Sequence, residues 1–247
     1  MRETLYGRNA VYESLRAGRR RFCRLLLAES VRAADVVAEI LRLAEAAEVP
    51  VERVPRRHLD WLGGVNHQGV VLEASEYPYT DLDEILVEAR QRGEPPFLLL
   101  LDLLQDPQNV GSLLRTAEAV GVHGVVLQRR RAAGITPAVV HTSAGAVEHL
   151  RVAQVTNIVE AITRLKGRDV WVVGLENVRG AQRYDQADLS GPLALVVGSE
   201  GRGIRRLVQD RCDLMVYLPM AGKVTSLNAA VAGSVVLYEA WRQRVTE

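Results

Sequence analysis

Three short stretches of this chain hold polar side chains at the point where an apolar run gives way to a helix. The first is Asp106-Pro107-Gln108-Asn109-Val110-Gly111, which runs on to Arg115. Gly111 and Arg115 are four apart, so they share one side of the helix, opposite Val110, Leu113, Leu114, Ala117 and Val120. A long helical side chain leans back toward the helix start, so Arg115 passes over the bare Gly111 and leaves room for a ligand before its guanidinium. A solvated surface arginine has the same spacing. The second stretch is Gly198-Ser199-Glu200-Gly201-Arg202-Gly203. Its glycines allow close backbone approach to a ligand. Glu200 would repel a phosphate there and suits an ammonium or sulfonium ligand, a ribose hydroxyl or an arginine partner. The third runs from Pro219 to Asn228. Ser226 reads as the N-cap of the last helix, and Asn228, a poor helix former, falls within its first turn. The glycine spacings match neither a phosphate-binding loop with its Lys-Ser/Thr pair nor a dinucleotide fingerprint, which disfavours a nicotinamide enzyme.

Each stretch follows a strand and opens a helix, and such turns line up at the carboxyl ends of a parallel sheet, where open α/β folds bind ligands. Continuous apolar runs predict strands at Phe97 to Leu101, Gly124 to Leu127, Val170 to Leu175, Ala194 to Val197 and Leu214 to Leu218. Helices fit Val110 to Val120, Pro137 to Ala144, Ile158 to Leu165, Ile204 to Val208 and Leu227 to Arg242. Asn109 is placed to cap the first of these and Gly121 to close it. The last is small and apolar nearly all round, so it packs closely against another helix, of this chain or a second copy.

The first 75 residues read as a separate module of αβαβαβ order. A turn at Gly7 leads to a helix capped by Asn9 and ended by Gly18. Strands follow at Phe22 to Ala28, Val49 to Val54 and Val70 to Ala74, with helices at Ala33 to Ala47 and Arg56 to Leu62. The loop Val65-Asn66-His67-Gln68-Gly69 is either turn chemistry or a set of groups offered to a nucleobase or phosphate. Proline and glycine breakers put a partly structured linker at 76–96 and a second domain at 97–247.

A net charge of +1 excludes a strongly basic nucleic-acid coat. Arginine supplies the local patches, at Arg16, Arg19, Arg20, Arg21 and Arg24 and again at Arg129-Arg130-Arg131, whereas lysine occurs only at Lys166 and Lys223. Each patch reads either as a solvated face or as a phosphate contact through the guanidinium fork. Cys23 and Cys212, the only cysteines, are too few for a disulfide framework or a cysteine zinc site. No apolar run is long enough to cross a membrane and the start has no signal-peptide core. The expectation is a cytoplasmic, metal-free protein with no membrane partner.

Taken together, Asn109, Gly111 and Arg115, then GSEGRG, then LPMAGKVTSLN resemble the three signature motifs of the SpoU (TrmH-like) branch of the SPOUT RNA methyltransferases. The resemblance covers Phe97 to Arg244. The amino-terminal module, with LYGRNAV and the NHQG turn, is similar to the L30e-like RNA-binding domain of bacterial 23S rRNA guanosine 2′-O-methyltransferases. The departures are minor: AAVAGSVV follows Asn228, and a serine stands in GSEG where several relatives have alanine.

The resemblance implies an α/β fold, with a deep trefoil knot in a mostly parallel carboxyl-terminal domain. It implies S-adenosylmethionine held by Gly198, Leu218, Met220 and Leu227, with Gly174 a further candidate. The implied reaction is methyl transfer to the ribose 2′-hydroxyl of a guanosine in 23S rRNA, free or in an assembly intermediate. Arg115 is the implied catalytic arginine, and Asn109, Glu200, Ser226 and Asn228 position it or the ribose. A homodimer with its site near the subunit boundary is implied as well. An aromatic content of 5% argues against a broad stacking platform, so RNA contacts should lean on arginine. Alternatives are the same chemistry on tRNA or an antibiotic-site rRNA loop, and a non-catalytic RNA-binding assembly factor.

Overall fold

The computed structural model describes residues 2–130 and 132–245, so Arg131 of the Arg129–Arg131 run lies outside the described residues. The chain divides into two compact units. One holds the residues up to Pro78 together with Ile135–His149; the other holds Tyr79–Gly134 and everything from Leu150 onward.

The first unit begins with a strand that the sequence did not announce, β1 (Arg2–Tyr6). It is followed by α1 (Arg8–Ala17), β2 (Phe22–Ala28), α2 (Val36–Ala46), β3 (Val51–Val54), a 3₁₀ helix (Arg56–Leu62) and β4 (Val70–Ser75). Among the described residues these strands form one sheet in the order β1-β4-β2-β3, with β4 antiparallel to both neighbours and β3 parallel to β2. β1 grades from exposed to buried instead of alternating, and it is fixed by pairing with β4, so its own residues carry little strand signal. Gly7, not Asn9, takes the N-cap position of α1 at φ 91°, and Gly18 closes the helix at φ 61° as expected.

The second unit starts with α3 (Leu82–Gln91), β5 (Phe97–Asp102), α4 (Pro107–Ala119) and β6 (Gly124–Gln128). After β6 comes Ile135–His149, which belongs to the first unit and carries α5 (Pro137–Thr142). It is held there by Glu148, wholly buried, which accepts from Arg20 Nε at 3.0 Å and Nη2 at 2.7 Å, while Arg20 also donates to Glu3. Removing one partner of a buried pair of this kind costs ~3–5 kcal/mol.

The chain then supplies β7 (Val152–Val155), α6 (Ile158–Lys166), β8 (Trp171–Leu175), β9 (Gln182–Arg183), β10 (Leu193–Gly198), α7 (Arg206–Gln209), β11 (Leu214–Tyr217) and α8 (Ala229–Val245). The sheet order is β7-β6-β5-β10-β8-β11-β9 and every pairing is parallel. β7 and β9 are additions to the sequence reading; one is four residues long and half covered, the other only two. Leu98 and Leu100 of β5 pack with Ile85 of α3, Ile162 of α6 and Val208 of α7 in one core cluster. On the other face α8 rests on α4 and β10: a Cβ at Gly233 would come within 2.6 Å of Leu113 Cδ2 and 3.1 Å of Val197 Cγ2. The small residues of the last helix thus serve close packing within the chain.

Candidate active site

The carboxyl ends of β10, β8 and β11 carry the site. Gly198 ends β10, and the loop beyond it folds back through two backbone bonds, Ser199 N to Gly203 O at 3.2 Å and Gly203 N to Ser199 O at 2.9 Å. A side chain at Gly198 would run into the Gly203 carbonyl and the Ile204 nitrogen. Gly203 sits at φ 64°, and a Cβ there would strike the Glu176 carboxylate.

Two carboxylates that sequence reasoning missed hold this loop from beneath. Glu176, just past β8, accepts from Ile204 N at 2.8 Å. Asp102, at the end of β5 and wholly buried, accepts from Arg205 N at 2.9 Å, Nε at 2.9 Å and Nη2 at 2.6 Å. The Arg205 guanidinium is tied in turn to Gln128 at 3.0 Å. A charged acceptor on backbone N–H groups fixes the loop more firmly than neutral pairs do. An aspartate ending an apolar strand was the only signal, and it gained meaning once β5 and β10 were known to be neighbours.

The start of α4 is capped by Asp106, which accepts from Gln108 N at 3.3 Å and Asn109 N at 3.2 Å, with Pro107 in the first turn. The expected capping role of Asn109 is therefore corrected: an aspartate three residues earlier already satisfies those amides, which frees the Asn109 side chain. Its Nδ2 donates to the Glu200 carboxylate and its Oδ1 accepts from Asn228 Nδ2 at 2.8 Å. Asn228 is itself the cap of α8, its Oδ1 accepting from Ala230 N at 2.9 Å and Val231 N at 3.3 Å. That corrects the assignment of Ser226 as cap and of Asn228 to the helical turn, because α8 begins only at Ala229. The network fixes both amide orientations: Glu200 can only accept, and Asn228 has its oxygen committed to backbone N–H groups. One amide, Asn109, thus joins all three stretches.

A cavity of about 670 Å³ opens beside this junction, a size typical of small-molecule sites. Gly198, Leu218, Met220 and Leu227 all line it, as do Glu200, Ser226 and Asn228. The charged groups on its wall are Glu176, Glu200 and Arg202, two carboxylates to one guanidinium, a balance that tolerates a cationic ligand and disfavours a phosphate. Gly174 does not line it; a Cβ there would meet Met215 Sδ at 2.6 Å and Cys212 Sγ at 3.1 Å, so the glycine serves packing. Burial pushes the Cys212 thiol up to about 12, with Asp213 adding to the effect, which leaves it no nucleophile.

Arg115 lines neither this cavity nor the groove beside it. It is exposed and makes no hydrogen bond or ion pair with the described residues. Gly111 is buried with Val110, Leu113, Leu114 and Ala117, so it is not the open floor beneath Arg115 that the spacing implied. The neighbouring groove, about 700 Å³, runs between α4 and α8 past Ser112, Thr116, Val231, Val235, Tyr238 and Trp241. In the first unit, two acceptors of the NHQG turn are spent locally, while the Asn66 side chain is exposed and bonds to no described residue. His67 Nδ1 accepts from Gly69 N at 3.0 Å and Gln68 Oε1 accepts from Arg8 N at 2.9 Å, which is the turn chemistry expected of those two atoms. Among the described residues no three His, Cys, Asp or Glu side chains group as a metal site requires, and no helix is long and apolar enough to cross a membrane.

The cavity fits S-adenosylmethionine. Glycines at 198 and 203 keep its floor bare, Leu218, Met220 and Leu227 offer apolar surface, and carboxylates at the wall match a sulfonium. Comparison with known proteins agrees. The sequence profile of the SpoU rRNA methylase family matches residues 96–238, and that of the RNA 2′-O ribose methyltransferase substrate-binding domain matches residues 4–80. The chain is 44% identical over 240 residues to YacO of Bacillus subtilis strain 168, assigned to the TrmH family of tRNA/rRNA methyltransferases, covering 96% of this chain and 94% of the relative. A Staphylococcus aureus protein assigned to the same family is 40% identical over 240 residues, covering 97% of this chain and 96% of its own. Among solved structures, the SpoU methyltransferase AviRb of Streptomyces viridochromogenes, crystallised with S-adenosylmethionine, superposes with a TM-score of 0.81 at 27% identity, over 100% of this chain and 92% of that one. The chain belongs to the SpoU rRNA methylase family, and it is an RNA 2′-O-ribose methyltransferase that uses S-adenosylmethionine.

Proposed function

We propose that this enzyme methylates the ribose 2′-hydroxyl of a guanosine in 23S rRNA, in the cytoplasm, as a homodimer. The observation that carries the site assignment is the Asn109 amide, which binds Glu200 on one side and Asn228 on the other, both of them residues that line the cavity. The guanosine and the 23S target rest on the likeness of LYGRNAV and NHQG to the corresponding rRNA enzymes. The shared tRNA/rRNA naming of the relatives favours tRNA as the second reading. Residues 1–75 would be the RNA-binding domain, 76–96 the linker and 97–247 the catalytic domain. The loops after β10 and β11 would form the deep trefoil knot of the family.

When bound, S-adenosylmethionine supplies an electrophilic methyl group on a sulfonium. Gly198, Leu218, Met220 and Leu227 would hold it. Glu200, Ser226 and Asn228 would orient the ribose, with Asn109 keeping Glu200 and Asn228 in place. A guanidinium is no base, so Arg115 would serve as an electrostatic partner for the hydroxyl oxygen as that oxygen loses its proton, and a phosphate of the RNA would take the proton. The catalytic power asked of these groups is mainly alignment.

An arginine outside the cavity of its own chain suits a site that a second copy completes. Val231, Val235, Tyr238 and Trp241 leave an apolar row exposed along α8, beside α4, and a self-complementary row of this kind favours a two-fold pair. Light scattering that returned a monomer mass with cofactor present would remove the dimer. Incubating rRNA and tRNA with labelled S-adenosylmethionine and mapping the 2′-O-methyl group tests the target; label in tRNA alone would overturn it. Arg115→Ala should lower methyl transfer by at least about 1,000-fold while S-adenosylhomocysteine binds as to wild type. Retained activity would sink its role.

A further inference from the structure

The arginines of the first unit fall into two groups. Of those near the chain start, four are committed to structure: Arg16 to Glu13, Arg20 to Glu148 and Glu3, Arg24 to Glu73 and Glu52, and Arg19 to the Glu148 and Pro78 carbonyls, whereas Arg2, Arg8 and Arg21 are exposed and their side chains pair with no described residue. Arg56 and Arg57 are exposed, and neither pairs with a described residue. Both open the 3₁₀ helix, which is seated by Leu59 (wholly buried) and, more loosely, by Leu62 in the small core beneath. Side chains three apart eclipse in a 3₁₀ helix. With Leu59 and Leu62 turned inward, His58 and Trp61 share one outward edge, while Arg57 shares another with Asp60.

Trp61 is 61% exposed, more than any other Trp, Tyr or Phe among the described residues. The surface beside it is bare, because Gly63 and Gly64 follow directly and a Cβ at either would meet nothing within 4 Å. One short helix thus presents to water an indole and two guanidiniums that no described residue pairs. The ring offers a π-face to a base, and guanidinium forks match phosphate oxygens.

We propose that the His58–Trp61 edge of this helix, with Arg56 and Arg57, holds an unpaired RNA segment, with one base laid on the Trp61 indole and the adjoining phosphates on the two arginines. The proposal rests on the reading of the chain as an RNA-modifying enzyme and adds where the first unit grips its substrate. A duplex keeps its base faces stacked inside, so only an unpaired segment can use the ring. A single ring suffices despite the low aromatic content, because the phosphate contacts supply the rest of the affinity.

The test uses the full-length protein with a short labelled single-stranded RNA and the duplex of the same sequence. Trp61→Ala should weaken single-strand binding about tenfold, leave duplex binding unchanged, and be largely rescued by Trp61→Phe. Arg57→Gln should weaken single-strand binding and make the dependence of log affinity on log salt shallower by about 0.7. S-adenosylhomocysteine binding should match wild type in all three variants. Unchanged single-strand affinity in Trp61→Ala, with wild type binding well, overturns the stacking surface and spares the enzyme assignment. So does a Trp61→Ala variant whose molecular mass changes while its RNA affinity does not, since the ring would then be a protein contact. Wild type that binds neither RNA would overturn both.

Discussion

The two walls of the cofactor cavity are held in different ways. One wall, the loop after β10, is fastened through the Ser199–Gly203 backbone pair, the Glu176 carboxylate under Ile204 and the buried Asp102 under Arg205. The other, residues 219–227, makes no hydrogen bond with the described residues and is pinned only at its end by Asn228. Val224 there is 66% exposed and Leu227 43%. The first wall is therefore set before any ligand arrives. The second keeps apolar surface in water that a ligand can cover, at roughly 25 cal/mol for each Å². Preformed geometry on one side and ligand-recovered burial on the other let a site be both selective and open to entry.

The largest effect should come from forcing the fastened wall apart. In Gly198→Ala the new methyl meets Gly203 and Ile204 backbone atoms, not a side chain that can swing away. Overpacking against backbone should cost about 2–3 kcal/mol of folding stability. Because the same loop must shift, S-adenosylhomocysteine affinity should drop by about 100-fold. Thermal unfolding and calorimetry read the two numbers. Wild-type affinity in this variant would mean that the loop yields easily and that the contrast between the walls is false.

That contrast was only half legible in the sequence. The strands beneath the site were readable because they are continuous apolar runs between covered faces, as at Phe97–Asp102, where every residue is buried. The residues lining the cavity were found through a family likeness, and their convergence on one cavity is a product of the sheet order. The holding devices were not readable. Asp102 looks like the end of a strand, and Glu176 like the start of a loop, until β10 is known to lie between β5 and β8. Caps misled for a similar reason. Asn109 and Ser226 are both good caps by type, but Asp106 and Asn228 hold those amides, and local propensity cannot rank rivals a few residues apart.

An intermediate effect should appear under trypsin, because the first wall carries exposed Arg202 beside the Asp102-tied Arg205, and the second carries exposed Lys223. Cleavage requires the backbone to enter the protease as an open strand, so it follows local opening. Without ligand, the bond after Lys223 should be cut well before the bond after Arg202. Saturating S-adenosylhomocysteine should slow the Lys223 cut by about tenfold, in proportion to the population it closes, and leave the Arg202 site as resistant as before. Peptide masses over a time course give both rates. Equal rates at the two sites would show that hydrogen bonding does not separate the walls.

The smallest effect is the counterpart of the first substitution. A Cβ at Gly222 would meet nothing within 4 Å, so Gly222→Ala should leave folding stability within about 0.5 kcal/mol of wild type. Its use lies in binding. An alanine narrows the conformations open to the unliganded wall, and where the bound backbone stays in the ordinary region this saves about 0.4–1 kcal/mol, or two- to fivefold in affinity. If S-adenosylhomocysteine instead binds several-fold more weakly, the wall must adopt at Gly222 a backbone angle that only glycine reaches, and closure would be a rearrangement. Calorimetry on this one variant therefore decides whether the second wall is simply quieted by its ligand or rebuilt around it, a distinction that the fastened wall never raises.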